Sequence, residues 1–368
     1  MSTIKVQNIQ HTASSTNAIA LASDGTCTAN ITNNLSNKNL IQNGAFLISQ
    51  RGTSSTANGY GSVDRFSVLS GGTDEAPTHA QVDVASGTTP YTLGFRKALK
   101  ITNGNQTSVG ADDYIVARTV LEAQDIANSG WNYLSTSSSI TISFWVKSSV
   151  AQNFYVNLWS QDGTQYNYIF ETGSLSADTW TKVTKTIIGN SNLTFDNDNG
   201  AGLRIQLVAF YGTNKTGSVS LNTWAAFSGS TITPDMTSTW YTTNDATLEI
   251  TGVQLEVGSV ATDFEHRSYQ DELYRCYRYY VEKGFDTMMA SVAGNTGFPR
   301  VNYPVVMRTA ASTYIQRNGN NHEMRNQNDG SSLTGISTYS HYDYGFASRG
   351  GGSTGIIYAS TYYADAEL

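Results

Sequence analysis

The chain is 368 residues long, with 39% hydrophobic, 11% aromatic and only 14% charged residues, 33 Gly and 5 Pro. That length fits two or three domains with ample core, and the balance suits short strands and polar turns rather than long solvent-facing helices. The formal net charge of −7, without a Lys/Arg cluster, excludes a nucleic-acid surface, whose affinity is largely counterion release.

Two cysteines, Cys27 and Cys276, are too few to staple such a chain, so free thiols are expected. There is neither a basic start followed by an apolar run nor a stretch long enough to span a bilayer. The expectation is a protein made in a cytoplasm, with no membrane insertion and no export by a signal peptide.

In chain order, residues 1–38 hold short alternating pieces around Ile4 and Val6, Ile9, and Ile19 and Leu21, then a turn at Asp24 and Gly25. None is long enough to bury a face alone, which predicts an arm that docks on other chains. From 39 to 265, strand signals recur at the spacing of a β-sandwich: ALKITNG from Ala98, SITISFWVKSS from Ser139, NFYVNLWS from Asn153, YNYIFETG from Tyr166, TWTKVTKTIIG from Thr179, GLRIQLVAFYG from Gly202 and ATLEITGVQLEVG from Ala246. In SITISFWVK, Ile140, Ile142, Phe144 and Val146 face one way and Thr141, Ser143, Trp145 and Lys147 the other, the mark of a half-exposed antiparallel sheet. Tyr114 to Asn128 reads as a strand with a short helical turn. Val253, Leu255 and Val257 alternate with Gln254 and Glu256, predicting a strand that closes a sheet with one face buried.

Ser268 stands three residues before Asp271, a shortened capping box. It opens a predicted connecting helix over 266–284, with Tyr269, Leu273, Cys276, Tyr277 and Tyr280 on one face and Gly284 as its stop. Residues 285–368 return to strands: RVNYPVVM, STYIQRN, GISTYSHYDYGFAS and GIIYASTYYADAEL, punctuated by Gly294, Gly297, Gly319, Gly330 and Gly350 to Gly352. Pro299 and Pro304 suit an edge strand or an entry turn. This region is small and polar enough that association with copies of itself is expected to complete its burial.

No GxSxG elbow, HExxH or phosphate loop occurs, and no carboxylate pair announces itself for glycoside hydrolysis, so a non-enzymatic chain with no cofactor is expected. Asp196 and Asp198 in FDNDNG are weak Ca²⁺ candidates, because Gly200 follows too soon for a hand-type loop. His341 and Asp343 in HYDY have the spacing of one strand face. Trp and Tyr outside a core suit sugar stacking and interfaces alike. The glycan-binding candidates are Trp145, Trp159, Tyr166, Trp180, Tyr342 and Tyr344, with core or intersubunit packing as the alternative. Leu273, Tyr277 and Tyr280 are the oligomer-contact candidates.

Three segments carry a family resemblance: VQLEVGSVATDF from Val253 with EL at Glu272 and RYY at Arg278; NLIQNGAFLISQRG from Asn39 with VDRF at Val63; and FPRVNYPVVMR from Phe298 with the terminal ADAEL. They resemble tail-fibre and other receptor-binding virion proteins of tailed bacteriophages, with Asn39 to Gly52 similar to their opening strand and residues 1–38 similar to the amino-terminal arms of marine phage virion proteins. Ala45 departs from the acidic or Gly residue of that pattern. The strand order resembles the jelly-roll of carbohydrate-binding modules. The resemblance implies a mainly β fold: an antiparallel jelly-roll β-sandwich with an extended N-terminal arm, one short helix and a small C-terminal β domain. It further implies a tail appendage of the virion, a homo-oligomer of trimeric type, joined to other tail proteins by its arm and touching host surface polysaccharide. The alternatives are a head decoration or tail adaptor, and a polysaccharide depolymerase.

Overall fold

The computed structural model describes residues 6–10, 12–13, 18–21, 23, 27–29, 37–284, 289–291, 300–317, 320–321, 323–326, 332–334, 337–349, 355–358 and 361–368. Ile4, the turn at Asp24 and Gly25, Pro299, and the glycines expected to punctuate the last region lie outside them. The fold is mainly β and antiparallel. In the arm, β1 (Asn8–Ile9), β2 (Ile19–Leu21) and β3 (Cys27–Ala29) form a three-stranded sheet, with Val6, Ile9 and Leu21 exposed.

The sandwich follows as β4 (Ser54–Ser55), β5 (Ser67–Gly71), β6 (Thr78–Asp83), β7 (Lys97–Thr102), β8 (Tyr114–Glu122), β9 (Ser139–Ser148), β10 (Tyr155–Ser160), β11 (Tyr166–Glu171), β12 (Thr181–Ile188), β13 (Ala201–Tyr211), β14 (Trp224–Ala226) and β15 (Thr247–Val257). One sheet has the order β14-β11-β10-β13-β8-β5 and the other β12-β9-β15-β7-β6-β4. Successive strands from β7 to β10 alternate between the sheets, the crossing pattern of a jelly-roll. The alternation explains the core: Ile140, Ile142, Phe144 and Val146 of β9 and Leu248, Ile250 and Leu255 of β15 meet Val156 and Leu158 of β10 and Leu203, Ile205 and Leu207 of β13 in one buried cluster. Tyr114 to Asn128 is β8 followed by the one-turn α2 (Ala123–Ala127); α1 (Thr89–Thr92) and α3 (Thr239–Thr242) are likewise single turns, so the expected helix is one of four among the described residues.

Several expectations are corrected. β15 lies between β9 and β7 rather than closing its sheet, and Gln254 and Glu256 are buried as well as Val253 and Leu255. The chain that follows folds back over them: Glu265 N donates to Gln254 Oε1 at 2.8 Å, and Thr262 donates to Glu256 from N at 2.9 Å and Oγ1 at 2.6 Å. The same return covers part of β9, burying Thr141 and Ser143, with Thr141 Oγ1 donating to Gly258 O at 2.8 Å. Residues 39–52 form no strand. Asn43 and Phe46 have φ of 57° and 56°, and side-chain amides knit the irregular backbone instead: Asn43 Nδ2 donates to the carbonyls of Ile48 and Asp64 at 2.8 Å each, while Asn39 Oδ1 accepts from Leu255 N at 3.0 Å.

Helix α4 spans Tyr269–Tyr277, not 266–284. Ser268 Oγ accepts from Asp271 N at 3.1 Å and donates to Asp271 Oδ2 at 2.6 Å, so the carboxylate takes the cap hydroxyl rather than the cap amide. The helix stops because Tyr279 and Tyr280 are both buried under separate arginines, Arg65 3.3 Å above one ring and Arg51 3.4 Å above the other. A strand sends neighbouring side chains to opposite faces, which a helix does not, and β16 (Tyr280–Gly284) begins there.

The C-terminal region comprises β16, β17 (Met289–Ser291), β18 (Arg300–Asn302), β19 (Ser312–Arg317), β20 (Asn320–Asn321), β21 (Met324–Asn326), β22 (Ser332–Leu333), β23 (Ser337–Tyr342), β24 (Gly345–Arg349), β25 (Gly355–Tyr358) and β26 (Thr361–Asp365). They pair as β16-β26-β19-β20, β17-β25-β21-β22 and β18-β24-β23. β18 is an edge that ends before Pro304, as proline requires. A second core of Val281, Val301, Met307, Ile315, Phe346 and Tyr362 sits here. The region is tied to the sandwich by charge. Arg51 reaches Asp365 at 3.0 Å and Glu367 at 3.3 Å, Arg65 pairs with Glu367, and Arg278 grips Glu122 through two 2.6 Å bonds. Burial pushes the Glu122 carboxyl up, but Arg278 holds it below its ordinary range.

Arg65 has no exposed surface, so removing its carboxylate strands a buried charge. Glu367→Gln is expected to lower stability in urea unfolding by about 3 kcal/mol. Asp83→Asn, at the exposed Lys97–Asp83 pair, is expected to leave the midpoint unchanged.

Candidate functional site

The outward side chains of β9 lead to an open cleft. Trp145 is flanked across the strands by Lys182 of β12 and Thr251 of β15. Beyond the stretch covered by the returning chain, a cleft of about 250 Å³ opens. Its floor is Trp145 and Ser143, its wall Phe95, Phe264 and His266, and its rim Lys182, Thr262 and Asp263. The three wall rings pack with centroids 4.9 to 5.1 Å apart. His266 Nε2 lies 2.9 Å from the Leu93 carbonyl, so it donates there, and the neutral ring keeps Nδ1 as an acceptor.

A backbone irregularity makes the space. The pairing of β15 with β9 shifts register between Thr251 and Gln254, and Gly252 within it has φ of +65°; a Cβ there would lie 2.5 Å from the Phe95 ring. The bulge therefore brings Phe95 down onto the sheet. Lys147 is held by Glu249 at 3.0 Å and lies 5.2 Å from the Trp180 ring. Trp180 packs with Trp145, Phe95 and Phe264 in one cluster but does not line the cleft. Flat apolar rings bordered by an amine, a carboxylate, hydroxyls and an imidazole can hold a ring-shaped, hydroxyl-rich ligand by stacking and hydrogen bonds.

The remaining candidates are placed differently. Trp159 is covered on both faces, by Phe227 stacked at 3.8 Å and by the Arg204 guanidinium at 4.5 Å, so it offers no platform. Tyr166 packs against the sandwich core. Tyr342 and Tyr344 are 50% and 55% exposed and stack on each other at 5.0 Å. Tyr342 pairs with Gly345, which puts Asp343 in the β23–β24 turn rather than on a strand face with His341. On α4, Tyr277 packs against the C-terminal core, Leu273 is half-buried, and Tyr280 is enclosed in β16 within its own chain. The exposed rings of that helix are Tyr269 and Tyr274.

The acidic turn at Asp196 and Asp198 is spent on structure. Asp198 Oδ1 accepts from Gly200 N at 2.8 Å, Asp162 Oδ2 accepts from Asp196 N at 3.0 Å, and the Asn199 carbonyl accepts from Arg308 at 2.9 Å. Among the described residues no group of three or more His, Cys, Asp or Glu is placed to hold a metal. Cys276 is a buried free thiol, its pKa pushed up by burial. Sequence reasoning missed Phe95, Lys182 and His266 as cleft residues; only the Phe264 position had been marked, by its motif.

No family model matches the chain, and no curated protein matches it. Among solved structures it is similar to the enzymatically active domain of tailspike protein 4 of bacteriophage CBA120, at 10% identity and a TM-score of 0.30 over 60% of this chain and 21% of that one. It thus spans about a fifth of the tailspike chain. It is also similar to the family 11 carbohydrate-binding module of Clostridium thermocellum in complex with a β-1,3-1,4-mixed-linked tetrasaccharide, at 12% identity and a TM-score of 0.26 over 58% of this chain and 98% of that one. The N-terminal cellulose-binding domain of β-1,4-glucanase C from Cellulomonas fimi matches at 11% identity and a TM-score of 0.27, with the same two coverages.

Gly252→Ala forces both a left-handed backbone and a contact with Phe95. It is expected to cost about 2 kcal/mol in urea unfolding. An unchanged midpoint would show that the bulge tolerates a side chain and does not fix the cleft.

Proposed function

We propose that this chain is a non-catalytic virion protein of a tailed bacteriophage, a tail fibre or similar appendage, which binds host surface glycan in the Trp145 cleft. The observation that carries the reading is the cleft itself, an aromatic floor and wall with hydrogen-bonding groups at the rim, open to solvent beside an otherwise covered sheet. The exposed Tyr342 and Tyr344 pair supports a second aromatic contact in the distal region, residues 285–368. The small sheet of the arm, residues 1–38, leaves Val6, Ile9 and Leu21 uncovered, which suits an element that docks on other tail proteins. Residues 39–265 act as the binding sandwich, and a homotrimer supplies the remaining burial.

Calorimetry of the purified protein against fragments of host surface polysaccharide tests the cleft. Trp145→Ala is expected to weaken binding roughly thirtyfold, the equivalent of about 2 kcal/mol of ring contact, while Tyr166→Ala leaves affinity unchanged. Equal binding by the Trp145 variant, or no glycan bound by the parent, would sink the reading. Labelled antibodies seen at the tail of the particle rather than over its head check the placement.

A further inference from the structure

The outer face of the opposite sheet carries a cluster of another kind. Cross-strand register sets Ser67, Arg118, Gln206 and Asn157 in one row and Arg204 and Trp159 in the next. Arg118 Nε donates to Ser67 Oγ at 3.1 Å. Trp159, stacked on Phe227 and with its Nε1 donating to Gln165 at 3.1 Å, is a fixed platform beneath the Arg204 guanidinium.

The two arginines lack compensation. Arg51, Arg65, Arg267 and Arg278 each meet a carboxylate, but among the described residues none reaches Arg118 or Arg204. Arg204 makes no hydrogen bond there either, and its Nε is buried without a partner. Burial and the adjacent Arg118 charge push Arg204 down to about 10, which leaves it charged at neutral pH. The phenols beside it, Tyr60 and Tyr211, stay protonated, because burial raises both, Tyr211 to about 12. Two like charges held side by side on a chain of net charge −7 are unfavourable unless an anion joins them.

We propose that Arg204 and Arg118 form an oxyanion site that takes the carboxylate or sulfate of an acidic glycan, separate from the Trp145 cleft and on the opposite face of the sandwich. The anion site stands on its own geometry; that its ligand is a glycan rests on the function proposed above. A guanidinium offers paired donors to two oxygens of one anionic group, and the Trp159 platform holds one of the two guanidinium planes ready.

The test is calorimetry of the full chain at low salt with four probes: inorganic sulfate, a galacturonic acid trisaccharide, a sulfated galactan tetrasaccharide and a neutral galactan tetrasaccharide. The parent should bind at least one acidic glycan more tightly than the neutral one, more weakly as salt rises. Arg204→Gln and Arg118→Gln should each reduce that binding about tenfold or more, with unchanged melting temperatures as the control. The two acidic glycans show whether carboxylate or sulfate is preferred. Equal acidic-glycan binding by parent and both variants, or no preference over the neutral glycan, overturns the site. A response to sulfate alone overturns the glycan assignment. Trp145→Ala run in parallel separates the two readings, since it should spare the arginine-dependent binding.

Discussion

The architecture turns on one buried cation. Arg65 has no exposed surface, and a charge taken out of water must be met by a counter-charge, hydrogen bonds or a ring face. It has all three: Glu367, the Val120 carbonyl and the Tyr279 ring. These partners come from the last residues of the chain, the end of β8 and the turn after α4, so a single side chain obliges three distant segments to converge. Arg51 repeats the arrangement beside it with Asp365, Glu367 and Tyr280. Removing water from such a cluster is costly, so its worth lies in specifying one arrangement of the segments more than in added stability.

The cleft depends on that convergence indirectly. The chain leaving β15 must return across the sheet to reach Ser268 and start α4. In doing so it buries Gln254 and Glu256 and lays Phe264 and His266 against Phe95. The β15 bulge supplies the opposing surface. Function in this molecule is therefore built from what happens after the last strand of the sandwich, on a sheet whose aliphatic face is committed to the core.

How much of this was legible in the sequence follows from the range of the forces involved. The strands β7 to β13 and β15 were readable because alternation is local: Ile140, Ile142, Phe144 and Val146 sit on the core face as their spacing requires. The Ser268 cap was equally local. What was hidden was long-range. Asn39 and Asn43 look like turn residues, yet they spend their amides on backbone groups tens to hundreds of positions away. Tyr280 continues a helical spacing, but a cation from Arg51 fixes it in a strand. Trp145 was identifiable as outward-facing, whereas its wall residues Phe95 and His266 are distant in sequence and carry no pattern of their own. Trp159 looked equally open, and only the structure shows both its faces occupied.

The position of Asp365 and Glu367 also bears on mechanics. The C-terminal region leaves the sandwich at Tyr280 and comes back to it through β26, which pairs directly with β16. Its way out and its way back are therefore fastened side by side, one by Arg51 over Tyr280 and the other by Arg51 and Arg65 on the terminal carboxylates. A pull on this region is shared between two adjacent anchors and a strand ladder instead of passing along one linker, so tension reaches the sandwich through several bonds that must fail together.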